Sequence, residues 1–265
     1  MRIPTAQTTS IMYKKYTFIQ NRIKFALILI LTCIGTAYAQ SAAVEELTEK
    51  AWKGLGGHQT WSESRYFMFS YTPLKQEFSV GPQTFLWDSQ SGKCRLDTKI
   101  QGNNTLTVLF NTRREKARVF ISGQPVNDKT TVLDYQQKSL RAFMQGSYWL
   151  FIPQRLEDAA QSSIAGLELT DGKKYEVLEI SEDLPAIDVS SSKYYIDSQS
   201  GKIDRWIAMD DNGQTFFDFH LSTFKDVGAG LLLPTNFTDI RRNVFLNYTI
   251  ATSLLEVETE KFTKP

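Results

Sequence analysis

Asp88-Ser89-Gln90-Ser91-Gly92-Lys93 recurs, residue type for residue type, as Asp197-Ser198-Gln199-Ser200-Gly201-Lys202. Each copy follows an apolar run and leads into a second one. The Asp side chain accepts hydrogen bonds from backbone N–H groups just ahead of it, and Gly supplies the positive φ that closes a short loop. A calcium loop needs several carboxylates at alternating positions, whereas only the first position is acidic here. The repeat therefore predicts two antiparallel hairpins rather than two metal sites.

The chain on either side of these hairpins follows the same pattern. Runs rich in aromatic and branched residues, such as 65–71 and 78–87, alternate with turn residues such as Ser122-Gly123 and Asp210-Asp211-Asn212-Gly213. Turns spaced by about 8–12 residues are typical of an antiparallel meander. We therefore predict a mainly β fold with about 11–12 antiparallel strands.

A short helix is predicted ahead of the first strand. Over 42–53, Leu47 and Ala51 fall on one helical face, and Gly54-Leu55-Gly56-Gly57 must end the helix.

A helical insert over 131–160 interrupts the strand pattern. Pro153 is suited to open its second, short helix. An insert with one apolar face, in the middle of a long sheet, is expected to lie across the open face of that sheet as a lid. The alternative is a helix that only packs the core, with no ligand beneath it. The apolar positions at helical spacing are Leu133, Leu140, Phe143 and Met144.

The first 39 residues are typical of a secretory signal peptide. A positive segment precedes the apolar run Phe25 to Ile34, and Ala37-Tyr38-Ala39 offers the small residues of a cleavage site. We predict cleavage before Gln40, a single mature domain over 40–265, and export to the periplasm or beyond the cell. A retained anchor and lipidation at Cys33 are the alternatives. The run is shorter than the roughly 20 residues of a spanning helix, and Thr32 does not suit lipoprotein processing.

The charge of the mature chain excludes some classes of partner. The whole chain has 30 Lys+Arg and 29 Asp+Glu, and removal of residues 1–39 leaves 25 cations against 29 acids, a net charge of −4. Nucleic acids and anionic membrane surfaces demand a basic patch or stripe. We therefore expect neither of them to be the main partner.

The sequence contains no recognisable catalytic, metal or cofactor motif. G-x-S-x-G, H-E-x-x-H and P-loop patterns are absent, and Cys94 is the single mature cysteine, which we expect to be packed and unreactive. Acidic neighbours such as Glu182-Asp183 point to opposite faces of a strand and are interpreted as surface residues. We predict no enzyme, no cofactor and no metal. The alternative is a hydrolase that uses Asp218 and His220, which share one face of a predicted strand.

Aromatic residues at strand positions supply candidates for a ligand-binding surface. The alternative is plain core packing, which is the commoner role of such residues. Together with the four insert residues, the candidates for ligand contact are Phe67, Phe69, Trp87, Trp149 and Trp206.

The order of these features resembles the LolA/LolB-like superfamily of bacterial envelope proteins. The resemblance lies in the helix that ends in Gly56-Gly57, the long hairpins, the block from Ser147 to Asp158, and Tyr194-Tyr195-Ile196-Asp197 followed by Gly201-Lys202. It implies a strongly curved antiparallel sheet, an incomplete barrel, with helices over its concave face.

The resemblance also implies a function. Well-studied members carry lipid-modified proteins and hold their acyl chains in the hollow of the sheet. We accordingly expect a periplasmic carrier in lipoprotein transport or lipid binding, whose partner is a lipid or the acyl chain of a lipoprotein, with no membrane span in the mature chain. The alternative is an envelope interaction module or scaffold whose core is filled by side chains.

Overall fold

One antiparallel sheet of 13 strands dominates the computed structural model, which describes residues 41–157, 162–170, 172–184 and 189–265. The predicted signal peptide and residues 158–160 of the predicted insert lie outside these ranges. The helices are α1 (described over 41–54), α2 (His58–Glu63), α3 (Lys129–Leu150) and α4 (Ile152–Glu157). The strands are β1 (Tyr66–Tyr71), β2 (Gln83–Asp88), β3 (Lys93–Ile100), β4 (Asn104–Asn111), β5 (Arg114–Ile121), β6 (Gln124–Pro125), β7 (Ser162–Thr170), β8 (Lys173–Leu184), β9 (Val189–Asp197), β10 (Ile203–Met209), β11 (Thr215–Asp226), β12 (Leu232–Asp239) and β13 (Val244–Leu254).

The strand order explains where the helical insert must go. From edge to edge the strands are β6-β5-β4-β3-β2-β1-β13-β12-β11-β10-β9-β8-β7, so the first half grows outward from the middle and the second half returns to it. Because β6 and β7 form opposite edges, the chain between them has to cross the sheet. Helix α3 does so, with contacts to β4 and β5 in one half and to β12 in the other.

The predicted fold class is confirmed. The sheet is open, with two free edges, and it carries an N-terminal helix and a helical insert. The strand number exceeds the prediction, in part because β6 has only two residues and no alternation by which it might be recognised.

Both predicted hairpin loops form by the predicted chemistry. The Oδ1 atom of Asp88 accepts hydrogen bonds from the backbone N–H groups of Gln90 and Ser91, at 3.1 and 3.2 Å. In the second copy, Asp197 Oδ1 accepts from the two equivalent N–H groups, both at 2.8 Å. The glycines that close the loops have φ values of 72° and 73°.

The second loop has a further role that the first does not share. A β-carbon on Gly54, in the last turn of α1, would lie 2.2 Å from the carbonyl oxygen of Gly201, and one on Gly201 would lie 2.2 Å from the carbonyl oxygen of Lys50. The two backbones touch because both residues lack a side chain. This contact fixes the end of α1 on the β9–β10 hairpin.

The insert lies on one face of the sheet, which we call the inner face and which carries Phe67, Phe69 and Phe85. Helix α3 begins at an N-cap, Asp128, whose side chain accepts a hydrogen bond from the Thr131 backbone N–H at 2.8 Å. Most of its N-terminal half is exposed or half-buried, whereas residues 146–150 are all buried. Among the described residues, no helix combines the length and apolar character needed to cross a membrane.

Candidate ligand-binding site

Helix α3 is held on the inner face by two buried tyrosines from the central strands. The Tyr71 hydroxyl donates to the Ala142 carbonyl at 2.7 Å, and the Tyr248 hydroxyl donates to the Gly146 carbonyl at 2.6 Å. A β-carbon at Gly146 would lie 2.2 Å from Cε1 of the Tyr71 ring. The helix can approach the sheet this closely only because residue 146 is glycine.

The space directly beneath the insert is filled by aromatic rings. Three of the predicted ligand-contacting residues, Phe67, Phe69 and Trp206, are 2%, 0% and 0% exposed. Phe151, which joins α3 to α4, packs edge-on against Phe67 and Phe69, with ring centroids 4.9 and 5.4 Å apart. Trp206 packs against Trp149 with centroids 4.9 Å apart. These residues form the hydrophobic core of the protein.

A cavity of about 330 Å³ lies beside α3, and we call it the α3–α4 pocket. Four of the predicted residues line it: Trp87, Leu140, Phe143 and Met144. Trp87 and Phe143 pack against each other with centroids 5.3 Å apart, while Leu140 and Met144 are only half-buried. The complete lining is Trp87, Thr112, Arg113, Leu140, Phe143, Met144, Ser147, Tyr148, Gln154 and Arg155.

Two arginines give this apolar pocket a cationic side. The Arg113 guanidinium donates to the carbonyl oxygens of Ser89 and Gln90, at 2.7 and 2.9 Å, so the first hairpin loop fixes its position. Arg155 lies over the Tyr148 ring, 5.5 Å from its centroid. The Nε atom of Arg155 is buried and has no hydrogen-bond partner in the part of the chain that the structure describes.

A half-buried carboxylate contacts the hydroxyl of Tyr148. Glu182 on β8 accepts hydrogen bonds from the hydroxyls of Tyr148 and Tyr194, the latter at 3.2 Å. Burial raises the pKa of Glu182, although these hydrogen bonds and the charge of Arg155 act in the opposite direction. Glu182 was interpreted as a surface residue, whereas the structure places it half-buried against Tyr148 and Tyr194. Its side chain faces the protein interior because it alternates with Ile180, which is 1% exposed.

A second cavity, of about 200 Å³, lies against the other flank of α3, and we call it the β11 cavity. The predicted residue Trp149 lines it, and its ring meets Phe217 at a centroid distance of 5.5 Å. The complete lining is Tyr71, Pro73, Leu74, Lys75, Glu77, Gln145, Trp149, Phe216, Phe217 and Leu246. A third cavity, of about 420 Å³, includes Leu109, Arg118 and the C-terminal Phe262 in its lining.

Leu133, the remaining predicted contact, is 55% exposed near the start of α3. It lies two helical turns before Leu140 and does not line the α3–α4 pocket.

The Asp218 and His220 pair is not assembled as a catalytic unit. Asp218 accepts hydrogen bonds from Arg205 at 2.6 and 2.8 Å and from Arg241 at 2.8 Å, so both of its oxygens are engaged. His220 is exposed. Cys94 is 1% exposed, and burial raises the pKa of its thiol well above the ordinary value. Among the described residues no group of three or more His, Cys, Asp or Glu side chains is placed to hold a metal ion.

Comparisons with known proteins find likeness only among solved structures. No protein-family model matches the sequence, and no curated protein matches it. A LolA superfamily protein from Nitrosomonas europaea matches with 13% identity over 83% of this chain and 97% of that chain, at a TM-score of 0.46. A putative outer membrane lipoprotein-sorting protein domain from Vibrio parahaemolyticus matches with 8% identity over 83% and 97% of the two chains, at a TM-score of 0.41. A DUF1329 family protein from Desulfovibrio piger matches with 10% identity over 83% and 96%, at a TM-score of 0.45.

Sequence reasoning missed the polar part of the site. The block from Ser147 to Asp158 includes residues that line the pocket, but Arg155 was not singled out within it. The residues next to Arg155 in the sequence do not reveal that Arg113 and the first hairpin loop lie nearby. Glu182 did leave a signal, because Leu178, Ile180 and Glu182 share one strand face and the first two are apolar.

Proposed function

We propose that this protein is an exported, non-enzymatic binding or carrier protein, and that the α3–α4 pocket takes the acyl chain of a lipid or of an acylated protein. The observation that carries the proposal is the pocket itself, with Trp87, Leu140, Phe143 and Met144 on its apolar side and a few polar groups on the other. Its volume of about 330 Å³ lies at the lower end of the range of small-molecule sites, which runs from about 300 to 1,000 Å³.

The filled core restricts where such a ligand lies. Phe67, Phe69 and Trp206 occupy the space directly beneath the insert, so the ligand binds beside α3 rather than under it. Each methylene that leaves water contributes about 0.8 kcal/mol. A chain of eight buried methylenes would therefore gain roughly 6 kcal/mol before the costs of association.

The filled core also favours the second candidate function, an envelope scaffold without a ligand. In that case the half-buried side chains of Leu140 and Met144 are ordinary surface residues of α3, and a partner protein replaces the lipid. The two candidates differ in a measurable way, because only the first predicts uptake of an apolar chain.

The test is binding of a fluorescent fatty-acid probe, together with mass spectrometry of gently purified protein. Met144→Trp fills the α3–α4 pocket, and we expect it to weaken probe binding by about tenfold or more. Leu133→Trp introduces a tryptophan on the same helix outside the pocket lining, and we expect it to leave binding unchanged. Circular dichroism verifies that both variants fold. Absence of both co-purifying lipid and probe uptake in the unmodified protein refutes the proposal, as does equal binding by Met144→Trp.

A further inference from the structure

The lining of the α3–α4 pocket, as far as the structure describes it, is cationic. Arg113 and Arg155 both line the pocket, and its described lining includes no Asp or Glu side chain. Arg113 already uses two N–H groups to bind the first hairpin loop. Arg155 forms no ion pair within 4.0 Å among the described residues, and its buried Nε atom lacks a hydrogen-bond acceptor there.

An unpaired guanidinium donor in this position is unfavourable. A buried donor that loses its bond to water without gaining another forfeits the free energy of that bond, and the loss is larger for a charged group. Glu182 is a half-buried acid whose charge interacts with Arg155. Its carboxylate is already engaged, because the hydroxyls of Tyr148 and Tyr194 donate to its two oxygens.

The same network keeps Arg155 in place at the pocket. The Tyr148 ring supports the guanidinium from one side, at 5.5 Å from its centroid. The Tyr148 hydroxyl is itself fixed by Glu182 and by Ser192, whose Oγ lies 3.1 Å away and also accepts from Trp206 Nε1 at 2.9 Å. Arg155 therefore has a supported position in which its Nε donor lacks an acceptor among the described residues, and it lines the same pocket as Trp87 and Phe143.

We propose that the α3–α4 pocket selects single-chain lipids with an oxyanion head, which Arg155 binds while the chain packs against Trp87 and Phe143. This inference rests on the proposed function, and adds to it the charge of the ligand. A guanidinium fork can donate two parallel hydrogen bonds to a carboxylate or a phosphate. A fatty acid and a lysophosphatidic acid both offer that chemistry, whereas a fatty alcohol of equal chain length does not.

The experiment compares dodecanoate, a lysophosphatidic acid with a twelve-carbon chain and dodecanol, by quenching of tryptophan fluorescence. For the unmodified protein we expect at least one of the two anions to bind about tenfold or more tightly than the alcohol, because a charge-assisted hydrogen bond is worth that much. In Arg155→Gln we expect this preference to disappear while dodecanol binds as before. Unchanged dodecanol binding shows that the variant pocket is intact.

Arg141→Gln is the matched control, since Arg141 is an exposed arginine of α3 that pairs with Glu77 outside this pocket. It should keep the full preference for the anion. If all three ligands bind the unmodified protein equally, the inference on charge is refuted while the proposed function stands. If none of them binds, the proposed function itself is refuted. An anion preference that survives in Arg155→Gln overturns the role of Arg155.

Discussion

Gly146→Ala tests whether the close contact between α3 and the sheet is as the structure describes it. In the interior of an unconstrained helix, alanine is more favourable than glycine by about 1 kcal/mol. The substitution would therefore stabilise the protein if α3 lay loosely over the sheet. The structure predicts the opposite sign, because the new β-carbon would lie 2.2 Å from Cε1 and 2.7 Å from Cζ of Tyr71.

The Tyr71 ring has no room to yield. Its side chain is 3% exposed and lies among Phe69, Phe85 and Tyr248, with centroids 5.6 to 6.5 Å away. The helix must then move, which lengthens the hydrogen bonds from Tyr71 and Tyr248 to its carbonyls. Each bond is worth about 1 kcal/mol and overpacking costs about 1–3 kcal/mol, against the gain of about 1 kcal/mol in helix propensity. We expect a net loss of about 2 kcal/mol or more.

Urea unfolding followed by tryptophan fluorescence measures this loss as a change in the free energy of unfolding. Gln137→Ala and Gln137→Gly, at an exposed position of the same helix, calibrate the propensity difference. In a double-mutant cycle, Tyr71→Leu should reduce the cost of Gly146→Ala, because it removes the ring that the methyl group meets. A Gly146→Ala variant as stable as the unmodified protein, or more stable, would refute the described packing of α3.

Three further predictions concern titratable groups. Burial raises the pKa of Glu182, so the folded state favours its neutral form. The free energy of unfolding is therefore expected to fall as the pH rises from about 4.5 through the raised pKa. Glu182→Gln should abolish this fall, as measured by unfolding curves at several pH values. Burial alone would raise the pKa of Asp88, but hydrogen bonds from Arg65 and Ser91 outweigh it and lower the pKa to about 2. The stability from Asp88 is thus present above about pH 4 and lost as the pH falls towards 2, and acid unfolding of Asp88→Asn should lack that loss. Cys94 should react with a thiol reagent only at the rate of unfolding, since burial raises the pKa of its thiol; fast labelling of the folded protein would contradict this.

Much of the fold follows from short stretches of sequence. The hairpins at Asp88 and Asp197 were predictable because the hydrogen bonds that close them join residues only two or three positions apart. The helical insert was predictable for a similar reason, since apolar spacing over a few turns marks its buried face. Of the predicted contact residues, Trp87, Leu140, Phe143 and Met144 lie together at the α3–α4 pocket, whereas Phe67, Phe69 and Trp206 lie in the core. Their role as ligand contacts stays a prediction.

The sequence by itself determined the antiparallel meander and the place of the insert, because turn chemistry and apolar periodicity depend on residues only a few positions apart. Only the tertiary structure decided which glycines serve close contacts, as at Gly146 against Tyr71 and at Gly54 against Gly201. It alone placed Arg113 and Arg155 at one pocket and Glu182 against the Tyr148 hydroxyl. These features depend on how residues far apart in the chain share the same small volume, and that is set by the packing of the whole sheet against the insert.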